Sequence, residues 1–216
     1  MYKGKKQIQK GDKMAKIQLC VGDLPKTVKF TKSVAIDTET MGLNLKRDRL
    51  CLVQLADDKG HVYLVQIIRG KDCPNLKALL INPRVLKIFH FARFDVAKIR
   101  EDLGVIVSPV YCTKIASKLC RTSSPSHSLK SLCWDLLGIE LSKEQQTSDW
   151  GAEILNKKQQ AYAAGDVLYL HKLKEKLDIL LKREGRDKLA QKCFDFLPVR
   201  AELDLLDFDN PDIFNH

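Results

Sequence analysis

A chain of 216 residues, 44% apolar and 30% charged, is long enough to bury the core of one globular domain. It has no apolar run near the roughly 18 residues of a membrane span and no apolar segment behind its N-terminal lysines to make a secretory leader; its seven cysteines form no C-x-x-C pair, which argues against a disulfide framework or zinc site and for reduced thiols in the cytoplasm. The formal charge of +10 is uneven, with nine lysines against Asp12 and Asp23 in residues 1–32 and Arg200 against six acids in residues 195–216, so the basic body suits a polyanion, although a merely solvated surface would carry the same charge.

Residues 1–16 are polar and lysine-rich without periodicity and read as a flexible basic arm. They precede a domain over 17–206 and an acidic C-terminal tail over 207–216. Ser33–Glu39 is a β-branched run that predicts a central strand, and Leu50–Leu55 and Val62–Ile67 predict two more, joined by the turn Asp57-Asp58-Lys59-Gly60. A short helix over Leu76–Leu80 stops near Pro83, and Val85–Phe89 reads as a fourth strand. Beyond it the pattern turns helical: 91–103, 112–121, 128–137, 156–184 and 186–206, with a short fifth strand near 105–107. Asn156 followed by Gln159 predicts a capping box on the longest of these helices. Strands first, then strands alternating with helices, give an α/β fold: a mixed five-stranded sheet flanked by helices.

Carboxylates interrupt three apolar faces. Asp37 and Glu39, two apart on the first strand, leave the same face of the sheet. Asp95, four residues from both Phe91 and Ile99, falls on the inner side of its helix. Asp166 continues the stripe Leu170, Leu173, Leu177, Leu180, and Tyr162 lies one turn before it. A buried carboxylate needs a compensating cation. For any one acid a Lys or Arg partner is the commoner answer; for four together the inner faces offer few such partners, and a divalent metal is the economical alternative. Oxygen ligands without His or Cys select Mg²⁺ or Mn²⁺. Two such ions roughly 4 Å apart are suited to phosphoryl transfer.

Asp37-Thr38-Glu39, His90-x-Ala92-x-x-Asp95 and Tyr162-x-x-x-Asp166, in that order, resemble the three exonuclease motifs of the DEDD superfamily, tyrosine subclass. Asp48 to Leu55 and Ser148-Asp149-Trp150 add a likeness to ribonuclease D catalytic domains, and the likeness runs from about Val21 to Lys182. The compact length, HFARFD at 90–95 and YCTKIASKL at 111–119 are similar to the nanoRNase C group, which acts on dinucleotides. The resemblance implies a single-domain ribonuclease H-like fold and a 3′-5′ exonuclease with two divalent metal ions, Mg²⁺ or Mn²⁺. Asp37, Glu39 and Asp166 would hold one ion, with Asp37 bridging to a second held by Asp95. Tyr162 would orient the attacking water. Thr40 and Leu43 match positions that hold the 3′-terminal nucleotide, Leu43 as a wedge between the last two bases. His90 could contact substrate or cap its helix. Phe91 stands where related proofreading enzymes often carry Asn.

The expected reaction is hydrolysis of short RNA, down to dinucleotides, to nucleoside 5′-monophosphates. General ribonuclease D-like trimming and 3′-5′ exonuclease action on single-stranded DNA are the alternatives, since the motifs act at the phosphate and do not read the sugar. A silent nucleic-acid-binding module is the remaining reading, disfavoured because every motif position is filled. The resemblance also implies a homo-oligomer, a ring of eight, and no membrane partner.

Overall fold

The computed structural model describes residues 16–142, 145, 147–208 and 211–215. Its strands are β1 (Lys16–Val21), β2 (Ser33–Thr40), β3 (Leu50–Ala56), β4 (His61–Gln66), β5 (Leu86–Phe89) and β6 (Val110–Cys112). Its helices are α1 (Pro74–Leu80), α2 (Ala92–Leu103), α3 (Thr113–Cys120), α4 (Leu129–Leu132), α5 (Lys157–Leu168), α6 (Leu170–Arg183) and α7 (Asp187–Leu205), and a π-helical turn over Cys133–Leu137 extends α4. The strands form one sheet in the order β1-β4-β3-β2-β5-β6. β3 is antiparallel to β2 and to β4, and the outer pairs are parallel.

The expected α/β class and mixed sheet are present, but the sheet has six strands, not five. The additional strand is β1, paired in parallel with β4 at the sheet edge. Only Cys20 of this strand is buried, so its sequence carries little of the hydrophobic signal of a core strand. Lys16 is thus the first residue of a strand, and the rest of the expected basic arm lies outside the described residues. The short strand expected near 105–107 lies instead at Val110–Cys112. Pro109 has no N–H to give a ladder, and pairing with β5 begins just after it, while its carbonyl accepts from the Lys87 amide.

The helix expected over 156–184 is two helices meeting at Tyr169, where the backbone turns to φ −103° and ψ −3°. The break lets two apolar faces point in different directions. Ala163, Ala164 and Val167 of α5 pack against β1 to β4, whereas Leu170, Leu173, Leu177 and Leu181 of α6 face α3, β5 and the π-helical turn. Asn156 and Gln159 form the capping box at the start of α5, each side chain accepting from the other's end of the turn.

β3 is buried along its whole length, which places it at the centre of the sheet. β2 beside it is fully buried at Val34, Ala35 and Ile36 and turns polar from Asp37 onward, so the strand runs from the core into a site at its C-terminal end. Part of the acidic C-terminal segment is tied to the body: Asp207 pairs with Lys46, and Asp212 with Arg200 at 3.1 Å. Among the described residues no helix is long and apolar enough to cross a membrane.

Candidate active site

Alternation along β2 sends Asp37 and Glu39 to one face and Thr38 to the other. Asp37 and Glu39 stand opposite Gln54 and Leu52 of β3, on the face that α5 covers. From α5, Asp166 joins them: one carboxylate oxygen each of Asp37, Glu39 and Asp166 lie within 4.8 Å of one another. All three side chains are half-buried, open enough for an ion to enter.

Asp95 arrives from the opposite layer. It is 4% exposed on the first turn of α2, and its Oδ1 accepts the Thr38 hydroxyl at 2.6 Å. It stands outside the group of three, although its charge is felt by Asp37 and Glu39. The two helices thus deliver acids from both sides of the sheet to the end of one strand.

These acids hold their protons unusually well. Burial, then the charges of Asp95, Asp166 and Glu39, push the Asp37 carboxyl far above the ordinary carboxylate range. Burial and the neighbouring Asp166 and Asp95 raise Glu39 to about 9. Burial raises Asp95 to about 7 against the pull of the Thr38 hydroxyl, and Asp166 to about 7 against that of the Tyr162 hydroxyl. Among the described residues no Lys or Arg is paired with any of the four. Crowded oxygen ligands with no cation from the protein fit a divalent metal of the Mg²⁺ or Mn²⁺ kind.

Tyr162 and Asp166 are one turn apart on α5, near enough that the phenol and the carboxylate bear on each other's ionisation. Burial and the charges of Asp166, Glu39 and Asp37 push the phenol's ionisation upward, so it stays a neutral donor. Trp150 packs against its ring with centroids 6.0 Å apart.

The residues expected to hold substrate lie around this edge. Leu43 is 84% exposed at the tip of the loop joining β2 to β3. Thr40 donates its hydroxyl to the Gly42 carbonyl within that loop. His90 does not cap α2: the cap position is Phe91, in the left-handed region at φ 66°, with no side-chain capping bond. Instead His90 Nδ1 lies 2.9 Å from the Thr113 hydroxyl, which itself donates to the Phe89 carbonyl at 3.1 Å. The hydroxyl has a single proton, so His90 must donate through Nδ1, which leaves Nε2 as an acceptor. Burial and the nearby Lys114 lower the imidazole to about 3 and keep it neutral. Phe91 is half exposed beside it, with the Lys114 ammonium 4.0 Å from its ring centre.

Sequence reasoning overlooked Thr38 and Thr113, the hydroxyl partners of Asp95 and His90. Thr38 was visible between two candidate ligands, where alternation turns it toward the opposite layer. Thr113 carried no signal, since its link to His90 depends on how β6 and α3 pack beside β5.

Residues 15–182 match a 3′-5′ exonuclease domain family. Over 144 residues the chain is 34% identical to ribonuclease D of Bartonella henselae, covering 67% of this chain and 35% of that enzyme. Over 176 residues it is 37% identical to DNA polymerase I of Aquifex aeolicus, covering 80% of this chain and 29% of the polymerase. The chain therefore spans about a third of the length of these curated relatives. Among solved structures, Brucella melitensis NrnC superposes with a TM-score of 0.90 at 50% identity, over 93% of this chain and 98% of that one. NrnC bound to pGG superposes at 0.90 with 49% identity, over 94% of this chain and 99% of that one. NrnC with bound Mg²⁺ gives 0.88 and 48%, over 93% and 99%.

Proposed function

This chain belongs to the 3′-5′ exonuclease family, in its DEDD, ribonuclease D-like branch, and from that premise we propose that it removes nucleotides from the 3′ ends of very short RNAs, releasing nucleoside 5′-monophosphates. The observation that carries the proposal is the meeting of Asp37, Glu39 and Asp166 within 4.8 Å, with Asp95 brought in from the other layer and, among the described residues, no Lys or Arg paired with them. Asp37, Glu39 and Asp166 would hold one divalent cation, and Asp37 and Asp95 a second. When bound, two such cations activate water and neutralise charge on the phosphate. Tyr162, a neutral phenol one turn from Asp166, is placed to hydrogen-bond and orient the attacking water. Leu43 and Thr40 would shape the seat of the 3′-terminal nucleotide, and the free Nε2 of His90 would accept from a substrate hydroxyl or amine.

A dinucleotide-sized substrate is favoured by the likeness to NrnC bound to pGG. A short substrate offers few phosphates, so recognition rests on contacts at its ends more than on a long basic groove. Exposed Val199, Leu206, Phe208 and Phe214, on and just after α7, favour self-association, which the mass in sizing chromatography would measure.

The deciding experiment is a titration of rate against labelled 5′-phosphorylated RNA of two to twenty nucleotides, with Mg²⁺ and with EDTA. Dinucleotides should be cleaved far faster than ten-mers, and EDTA should abolish cleavage. Equal rates on two-mers and twenty-mers would replace the proposal with general trimming. Full activity in EDTA, or a requirement for zinc alone, would overturn the metal assignment, and the absence of cleavage under every condition would leave only a binding role. A second reading, action on single-stranded DNA, draws on the likeness to DNA polymerase I; matched deoxyribose substrates decide it.

A further inference from the structure

Lys98 and Asp102 lie one turn apart on α2, and the reaction outlined above uses neither. Lys98 is 1% exposed. Its ammonium pairs with Asp102 Oδ1 at 2.7 Å and donates to the Leu45 carbonyl at 2.6 Å. The other carboxylate oxygen of Asp102 accepts the Leu50 amide. One ion pair therefore grips the β2–β3 loop in its middle and at its far end.

The loop is closed by its own bonds as well. Asp48, almost fully buried, accepts the Asn44 amide at 3.0 Å, and the Met41 amide donates to the Arg49 carbonyl at 3.1 Å. Gly42 is required, because a Cβ there would run into the Asp48 carboxylate. What the loop presents is Leu43, on the rim of a cavity of about 300 Å³ that Lys46, Phe91 and Arg93 also line.

An ion pair with its lysine buried and its aspartate still partly open to solvent is poor value as a source of stability, since desolvating the ammonium offsets much of the attraction. It does something that apolar residues cannot, which is to bond a loop carbonyl and a loop amide to a helix. That helix also carries Asp95, three residues before Lys98. We propose that Lys98 and Asp102 are positioning residues that lock the Leu43 loop to the helix bearing Asp95, so that the 3′-terminal nucleotide is seated at a fixed distance from the carboxylates. This rests on the reading of Leu43 as a contact of that nucleotide. The pair acts on substrate binding and leaves the chemical step alone.

The test uses the full chain with Mg²⁺, a labelled five-nucleotide RNA, and the variants Leu43→Ala, Lys98→Met and their combination. Lys98→Met should raise KM by about tenfold and leave kcat within about twofold, the pattern of lost uniform binding. The combined variant should be no worse than Leu43→Ala alone, because Lys98 acts through Leu43. Mn²⁺ affinity without RNA, measured by calorimetry, should be unchanged. Hydrogen exchange at the Asp48 and Leu50 amides should speed up by about tenfold. If Lys98→Met unfolds the protein, Lys98→Met with Asp102→Leu removes both charges and should fold with the same raised KM. A folded Lys98→Met enzyme with normal KM beside an impaired Leu43→Ala enzyme would overturn this inference alone, as would additive losses in the combined variant. Unchanged KM in Leu43→Ala would overturn the Leu43 reading, and the inference with it.

Discussion

Replacing Asp37 by Asn should stabilise the metal-free protein, and the gain should grow with pH. Asp37 has carboxylate neighbours within 4.8 Å in Glu39 and Asp166. At that distance, with an effective dielectric near 20, two full charges repel by about 3 kcal/mol. The cluster can escape only by keeping protons, which costs about 1.4 kcal/mol for each pH unit above the ordinary carboxylate value near 4. Glu39 is raised to about 9, and Asp95 and Asp166 to about 7, so between pH 4 and 9 the folded state holds protons that the unfolded chain releases. Linkage then makes apo stability fall as pH rises through that window. Asp37→Asn removes one member of the cluster and should recover about 2–4 kcal/mol at pH 8, or roughly 6–12 °C in Tm for a chain of this size. At pH 5, where the carboxyls are mostly protonated, the gain should shrink to about 1 kcal/mol. The assay is thermal unfolding of EDTA-treated protein from pH 5 to 9, repeated with Mg²⁺. The cation should raise the wild-type Tm and leave Asp37→Asn nearly unmoved. A pH-independent gap between the two apo proteins would refute the reasoning, because the acids would then be neutralised by something other than their own protons.

Tyr162→Phe keeps the ring on Trp150 and deletes the hydroxyl; kcat should fall by roughly 10²-fold with little change in KM, and the Mg²⁺-induced rise in Tm should persist. Unchanged turnover in a folded variant would reduce Tyr162 to packing. Thr38→Val removes the bond to Asp95, and calorimetric Mn²⁺ affinity should drop by about tenfold, in line with the loss of an outer partner of a ligand; unaltered affinity would mean that Asp95 needs no orienting. His90, lowered to about 3, is neutral when folded and protonated below about 6.5 when unfolded, so it makes stability fall with falling pH, opposite to the acids. His90→Gln should flatten the acid side of the stability profile and create no new limb in the pH–rate profile between 5 and 8.

What could be read from the sequence was whatever a single element records. Asp37 and Glu39 share a face because strands alternate, and Asp95 falls on the buried side of α2 because helices repeat every 3.6 residues. The capping box at Asn156 is a local bond pattern and was equally visible. What escaped depends on neighbours. β1 looks like a lysine-rich arm because an edge strand needs only one buried side chain. The junction at Tyr169 has no proline or glycine to announce it; the helix breaks because α5 and α6 bury their stripes against different partners. Lys98 and Asp102 carried no sequence signal, and only the loop folded over them shows that both are spent on backbone groups.

The same distinction explains why the acids converge at the C-terminal end of β2. β2 is an apolar strand for its first half, and its polar half begins at Asp37, at the end of the sheet where loops and helix ends meet. α5 is docked on the Asp37 face by Ala163, Ala164 and Val167, small residues that let it lie close to the sheet and bring Asp166 within reach of Glu39. α2 is docked on the Thr38 face and starts at a strained left-handed Phe91, which sets the first turn, and with it Asp95, directly against Thr38. Each docking contact is ordinary core packing, yet each places a charge where the core is least able to neutralise it. A divalent cation held by these acids should recover the stability so lost, which would couple the metal to folding as well as to the proposed reaction. Variants that relieve the repulsion should therefore be more stable and less active, the direction expected where a site is kept strained for its function.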